Sequence, residues 1–274
     1  MFAHQHTVFT NQITHERHGV RLKTVALPAE HGGWGLLFEP VVLGLLLAPS
    51  PGGLYLALSA VGFFLARHPL TLLVTSRCRV SPRKALAKRF AALYLAIGGA
   101  GFAAAIIFSR PSFVLPLLVA MPLGIVQLTY DWTGRRRALT SEIAGATAVA
   151  SLAAAIALCG TWPAPAAFAL WAIMIARAVP AILYVRTYLA RRHSRPWSSL
   201  PMLSAHIIGI MGVAILASNG LAPRLAVVAM IVLLARALIT LNTLQVTAKQ
   251  LGFTEIAFGA VTTFMVILGK GLQF

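Results

Sequence analysis

Acidic residues are nearly missing from this chain: 6 aspartates and glutamates stand against 23 lysines and arginines in 274 residues. Only 11% of the residues carry charge, where a soluble domain carries roughly 25%. A water-soluble globule is thereby excluded. Cysteine is scarce as well. Cys78 stands in a basic loop and Cys159 near the far end of an apolar run, so the two face opposite sides of a bilayer and no disulfide framework is expected. No Cys/His cluster has zinc spacing, no Gly-rich Walker sequence occurs and no nucleophile elbow is present. No segment alternates with period two, which excludes a transmembrane barrel.

What fills the chain instead is apolar: 58% of the residues are hydrophobic and the mean hydropathy is +0.82. A helix that crosses lipid needs about 20 mostly apolar residues, because its backbone polar groups must be satisfied internally. About nine such runs are predicted, at 34–49, 54–76, 90–108, 113–130, 142–160, 167–189, 200–218, 225–242 and 253–270. Proline and glycine mark the short connections at Pro49 to Pro51, Arg110-Pro111, Thr161 to Pro163 and Gly220 to Pro223, with no room between the runs for a soluble domain. The expected class is an all-α polytopic membrane protein, with residues 1–29 as a polar cytoplasmic tail and 30–274 as one transmembrane domain. The tail lacks an apolar core and a cleavage box, so it does not read as a secretory signal.

Lysine and arginine accumulate on cytoplasmic loops, and this rule orients the bundle. With the N-terminus inside, the inner segments hold 17 basic residues and the outer ones only Arg110, Arg224 and Lys270. The net charge of +17 is then a property of loops that meet anionic lipid, and no nucleic-acid partner is expected.

Arg67, Arg177 and Arg236 fall within predicted spans. A charge in the hydrocarbon region costs about 2.5 to 3.5 kcal/mol. Counted from the cytoplasmic ends of their helices, the three lie about 15, 13 and 9 Å deep at 1.5 Å per residue. Each can snorkel to the headgroups or pair with a carboxylate. Three at similar depth are more economically explained by one shared polar cavity open to the cytoplasm. The acids Glu30, Glu39, Asp131, Glu142 and Glu255 all map to the cytoplasmic side. Glu39 is the deepest of them and the natural counter-ion for Arg67. Glu142 and Glu255 read as first-turn acids that complement helix dipoles, with Thr140-Ser141-Glu142 as a cap.

The stretch Pro28-Ala29-Glu30-His31-Gly32-Gly33-Trp34-Gly35 stands where the tail enters the membrane. Its paired glycines allow close backbone approach, and Glu30 with His31 can exchange a proton near neutral pH. The plain alternative is an interfacial anchor with a flexible turn. An internal echo links Ala66-Arg67-His68-Pro69 with Ala176-Arg177-Ala178-Val179-Pro180: both put an arginine just before a proline. Proline within a helix frees a carbonyl, so both helices can offer polar backbone to one cavity.

The entry motif PAEHGGWGLLFEP, with ARHPLTLL on the second run, resembles the YwiC-like bacterial membrane proteins, a family of poorly defined function. That resemblance implies a multi-pass protein of the bacterial inner, cytoplasmic membrane. YDWTGRRRALTSEIAGA and ALWAIMIARAVPAILYVRTYLARRHSRPWSSLPML are more distantly similar to the UbiA superfamily of intramembrane prenyltransferases, which have nine helices and a cytoplasmic N-terminus. Tyr130 and the cluster Arg135, Arg136 and Arg137 match that superfamily's Tyr-x-x-x-Lys-Arg-type loop. UbiA enzymes hold a prenyl diphosphate through magnesium on aspartate motifs at the cytoplasmic ends of the second and sixth helices. Here those places carry Arg67, His68 and Arg77, then Arg186, Thr187, Arg191 and Arg192. Magnesium needs hard oxygen ligands, so no cofactor is predicted. Arginine can grip a phosphate directly.

The expected function is binding of an anionic amphiphile, a phosphorylated isoprenoid or lipid such as a prenyl diphosphate, in a cytoplasm-facing cavity of a UbiA-like bundle. Arg67, His68, Arg177, Arg186, Arg236, Tyr130, Arg135 and Arg136 would bind it. Glu30, His31 and Glu39 would orient it or move protons. Any enzymatic activity would be a divergent UbiA-like prenyl or lipid transfer. The alternatives are a non-catalytic anion transporter and an accessory subunit for respiratory-complex assembly, its arginine pairs serving as helix registers. Membrane lipids are the expected partners.

Overall fold

A computed structural model of the chain describes residues 23–27, 31–75, 82–135, 137–243 and 246–272. Most of these residues are helical, with no strand among them. A one-turn helix, α1 (Lys23–Ala26), precedes nine further helices: α2 (His31–Leu47), α3 (Pro51–Thr75), α4 (Pro82–Phe108), α5 (Val114–Trp132), α6 (Leu139–Cys159), α7 (Ala164–Arg192), α8 (Leu200–Ser218), α9 (Arg224–Thr243) and α10 (Ala248–Gly271). Eight of them, α3 to α10, are long and apolar enough to cross a membrane; α2 is apolar but shorter. The chain is a multi-pass membrane protein.

The nine predicted runs each correspond to one of α2 to α10. The differences are at the ends. Helix α4 starts at Pro82 rather than 90, because Arg83, Lys84, Lys88 and Arg89 are good helix formers that a hydropathy reading leaves out. Helix α10 starts at Ala248 rather than 253, and its first turn is set by a capping box: Gln250 N donates to Thr247 Oγ1 at 3.3 Å, while Thr247 N donates to Gln250 Oε1 at 2.9 Å. Starts elsewhere use proline in the first turn, as at α7 and α8. Two ends use glycine with positive φ. Gly134 (φ 76°) closes α5, with Arg135 N bonded to Tyr130 O and Gly134 N to Asp131 O; Gly220 (φ 71°) closes α8 in the same way.

Helix α6 is the centre of one group and α7 of the other. Around α6 stand α2, α3, α5 and α7; around α7 stand α8, α9, α10 and again α2. Helix α4 packs on α3. The sequence explains the central place of α6: Ala150, Ala153, Ala154, Ala155 and Ala157 are small and buried, and small residues let helices approach where lipid gives no hydrophobic drive between them. At Gly44 of α2 an added Cβ would lie 2.8 Å from Ile156 of α6, and at Gly62 of α3 it would lie 2.6 Å from the Gly98 nitrogen of α4. The outward faces are apolar, with Ile107 76% and Ile208 70% exposed, as lipid-facing side chains must be. The turn α1 packs against α3 and α4, with Val25 fully buried and Tyr94 Oη donating to Ala26 O at 3.2 Å. The polar tail thus ends in an apolar turn that docks on the bundle.

Candidate functional site

Four charges meet between α2, α7, α9 and α10. Arg177 Nη2 donates to Glu39 Oε1 at 3.1 Å and to the main-chain oxygen of Glu255 at 2.7 Å; its Nη1 lies 3.5 Å from Glu255 Oε2. Arg236 Nη1 donates to the other oxygen, Glu255 Oε1. Glu255 therefore bridges two arginines, and Arg177 bridges two glutamates. The side chains are 3% (Arg177), 9% (Arg236), 10% (Glu39) and 15% (Glu255) exposed. Two positive and two negative groups cancel, which is the condition for holding them away from water.

Helix geometry explains how residues so distant in sequence converge. Glu39 lies eight positions into α2, Glu255 seven into α10 and Arg236 seven before the end of α9. At 1.5 Å per residue these are depths of about 10 to 12 Å from those helix ends. Gly259 supplies the room: a Cβ there would lie 1.8 Å from Glu39 Oε1 and 2.9 Å from Arg177 Nη2. Only a residue without a side chain lets Glu39 cross this face of α10.

Arg236 also packs against two aromatic rings. Its guanidinium carbon lies 4.2 Å from the ring centroid of Tyr184 and 4.8 Å from that of Phe258, both within cation–π range. Its Nε and Nη2 are buried and have no hydrogen-bond partner. Arg236 forms part of the wall of an open groove of about 320 Å³ between α9 and α10, lined otherwise by Val232, Ala235, Ile239, Thr240 and Phe258.

Arg67 belongs elsewhere. It makes a two-point ion pair with Asp131 at the end of α5, Nε to Oδ2 at 2.5 Å and Nη2 to Oδ1 at 2.9 Å. The Gln127 amide, turned with its oxygen toward the guanidinium, accepts from Nη1 at 2.9 Å. Asp131 is 1% and Arg67 27% exposed. This corrects two expectations. Glu39 is the partner of Arg177, not of Arg67, because α2 packs on α10 and α7 at the depth of the Arg177 side chain. The three arginines do not share one cavity: two share a carboxylate, and the third has its own.

The other predicted site residues scatter. His68 Nε2 donates to Thr24 O at 3.2 Å, which ties α3 to the α1 turn. Arg186 pairs with Glu142 at 2.8 Å and also donates to the Arg137 carbonyl. Glu142 does sit in the first turn of α6, but the cap expected from Thr140 and Ser141 is absent: the helix begins at Leu139, and its N-cap is Ala138 without a side-chain bond. Glu255 is not a first-turn acid, since the capping box starts α10 seven residues earlier. Tyr130 is half-buried and Arg135 exposed at the α5 end, beside the Arg67 pair rather than the four-charge cluster. Glu30, Arg136 and the side chain of His31 lie outside the described residues, as does Cys78. Among the described residues no three His, Cys, Asp or Glu side chains come together as metal ligands.

Sequence reasoning named Arg177, Arg236 and Glu39 and missed the bridging role of Glu255. The signal was Thr247-x-x-Gln250, which sets the helix register and puts Glu255 about 10 Å in. It also missed Asp131 as the counter-charge of Arg67.

No curated protein and no solved structure matches the chain. The family comparison does give a match, and it covers α2 to nearly the end of α6, including Glu39, Arg67, Asp131 and Glu142 but not Arg177, Arg236 or Glu255. Residues 27–158 of the chain match the model of the YwiC-like protein family.

Proposed function

We propose that this protein binds an anionic amphiphile, a phosphorylated isoprenoid or lipid, at Arg236, within the inner membrane of a bacterium. One observation carries the reading: Arg236 stands on the wall of a mostly apolar groove between α9 and α10, and two nitrogens of its buried guanidinium have no hydrogen-bond partner. An unpaired donor in low dielectric is costly, and an oxyanion in the groove is the acceptor that Arg236 lacks. Arg177 and Glu255 fix Arg236 in place, and Glu39 balances the charge. In that role Glu39 is a fixed counter-ion rather than a free base. Arg67, with its donors taken up by Asp131 and Gln127, is no longer among the binding residues.

A second reading has its own support. Every intramembrane arginine is capped by a carboxylate, which suits the helix-register role of an accessory subunit. Binding of a labelled phosphorylated prenyl or acyl lipid to purified protein separates the two. Under the amphiphile reading Arg236→Ala abolishes binding and Arg67→Ala retains it in the folded fraction. Undiminished binding in a folded Arg236→Ala protein overturns it.

A further inference from the structure

We infer that the α9–α10 groove selects an amphiphile whose headgroup carries one net negative charge on a two-oxygen acceptor, a phosphodiester being the type, and discriminates against a diphosphate. This rests on the amphiphile-binding reading and narrows it.

The first argument is the donor geometry. Nη1 of Arg236 is given to Glu255, while Nε and Nη2 are unpartnered. Those two nitrogens form one edge of the planar guanidinium, the side-on fork whose parallel N–H groups match two oxygens on one atom. The Tyr184 and Phe258 rings pack against the guanidinium and restrict its turning. No second donor set on the groove wall serves a further phosphate. The Thr240 hydroxyl already donates to the Arg236 carbonyl at 2.8 Å, and Val232, Ala235, Ile239 and Phe258 are apolar. Arg177, which has an unpartnered Nε of its own, is not on that wall.

The second argument is charge. Arg177, Arg236, Glu39 and Glu255 sum to zero, so the site offers an anion one oriented positive group backed by a negative one, not a basic basin. Attraction to a fixed arrangement of charges grows in proportion to the ligand's charge. The cost of taking the ligand out of water grows with the square of that charge. A single charge lies on the favourable side of that balance, and three do not. A diphosphate would also press surplus charge toward Glu255, with neither magnesium ligands nor a spare cation to neutralise it. The apolar walls, with Ile239 65% exposed toward lipid, take the chain.

The test uses the purified full chain in an uncharged detergent with three fluorescent probes that share one acyl chain and carry a dialkyl phosphodiester, a diphosphate or an alcohol head. Dimethyl phosphate serves as a chainless competitor. The phosphodiester probe is expected to bind about 10-fold or more tighter than either other probe, and millimolar dimethyl phosphate is expected to leave it in place. Glu255→Gln gives the cluster a net positive charge and is expected to move the preference about 10-fold toward the diphosphate. Arg236→Lys keeps the charge without the fork, and should cut the phosphodiester-over-alcohol preference about 10-fold at unchanged folding. Wild-type protein that binds diphosphate as tightly as phosphodiester overturns this inference and leaves the broader reading standing. Displacement by dimethyl phosphate also overturns it, in favour of a free-phosphate site. If no chain-bearing probe binds, the amphiphile reading itself fails.

Discussion

Arg67 and Arg177 begin from similar sequence, each shortly before a proline on an apolar helix, and they end in different electrostatic situations. Arg67 meets one carboxylate in a bidentate pair and remains 27% exposed. Arg177, 3% exposed, joins a second arginine and two glutamates drawn from four helices. The difference comes from the neighbours. Helix α3 packs mainly on α4 and α6 and meets α5 less, and Asp131 of α5 is the acid that reaches Arg67; α7 is surrounded, so acids arrive from α2 and α10. A self-contained pair with its donors filled has little left for a ligand. A shared cluster that balances in charge but not in hydrogen bonds has unfilled places, one on Arg177 and two on Arg236, and of the two arginines Arg236 is the one on the groove wall.

Removing one carboxylate from each site should break the two unequally. Glu255→Gln leaves Arg177 with Glu39 alone and Arg236 without a carboxylate, and should cost about 3–5 kcal/mol, the usual penalty for orphaning a buried charge. Asp131→Asn leaves one arginine with partial exposure and a route to the headgroups, so about 1–3 kcal/mol is expected. Thermal unfolding in detergent reads both. Equal losses, or a larger one at Asp131, would show that the shared bridge has no special weight.

A gentler test leaves every charge in place. Gly259→Ala puts a methyl where Glu39 Oε1 now lies and must push the Glu39–Arg177 pair apart. Overpacking of this kind costs about 1–3 kcal/mol. The matching change near the other site is Gly145→Ala, whose methyl meets the Gln127 amide at 2.2 Å. Gln127 can swing away while the Arg67–Asp131 pair stays closed, so a smaller loss is expected. If Gly259→Ala also weakens binding of the phosphodiester probe, Glu39 and Arg236 are coupled through Arg177 and Glu255 as the distances require.

The fold behind this contrast is legible in the sequence, and the contrast itself is not. Nine apolar runs and the basic loops follow from the solvent: lipid forces each run to be helical, and loop charge fixes its direction. Arg67, Arg177 and Arg236 stood out because charge in lipid is rare. Which acid meets which arginine did not follow, because that depends on which helices are neighbours, and a run of leucine and alanine carries little of that information. Glu39 was assigned to Arg67 from depth alone, and depth is shared by Arg177. Glu255 shows a different loss. Hydropathy put the start of α10 at the first apolar residues, whereas the helix begins with the polar capping box at Thr247 and Gln250. Five residues of error made a bridging acid look like a dipole cap.

The smallest effect should come from the third pair on α7, Arg186 with Glu142. The bond is short at 2.8 Å, but both side chains are more than a third exposed, at 37% and 35%. Water and salt screen such a pair, and ordering two long side chains offsets most of its attraction. Arg186→Ala should therefore lower stability by less than about 1 kcal/mol, with the remainder owed to the lost bond to the Arg137 carbonyl. Its salt dependence is the sharper measurement. The Arg186→Ala loss should shrink as ionic strength rises, while the Glu255→Gln loss, in a region that counter-ions do not enter, should stay nearly constant. Parallel salt curves for the two variants would mean that the Glu255 cluster is open to solvent, and would remove the basis for treating Arg236 as a donor that waits for a ligand.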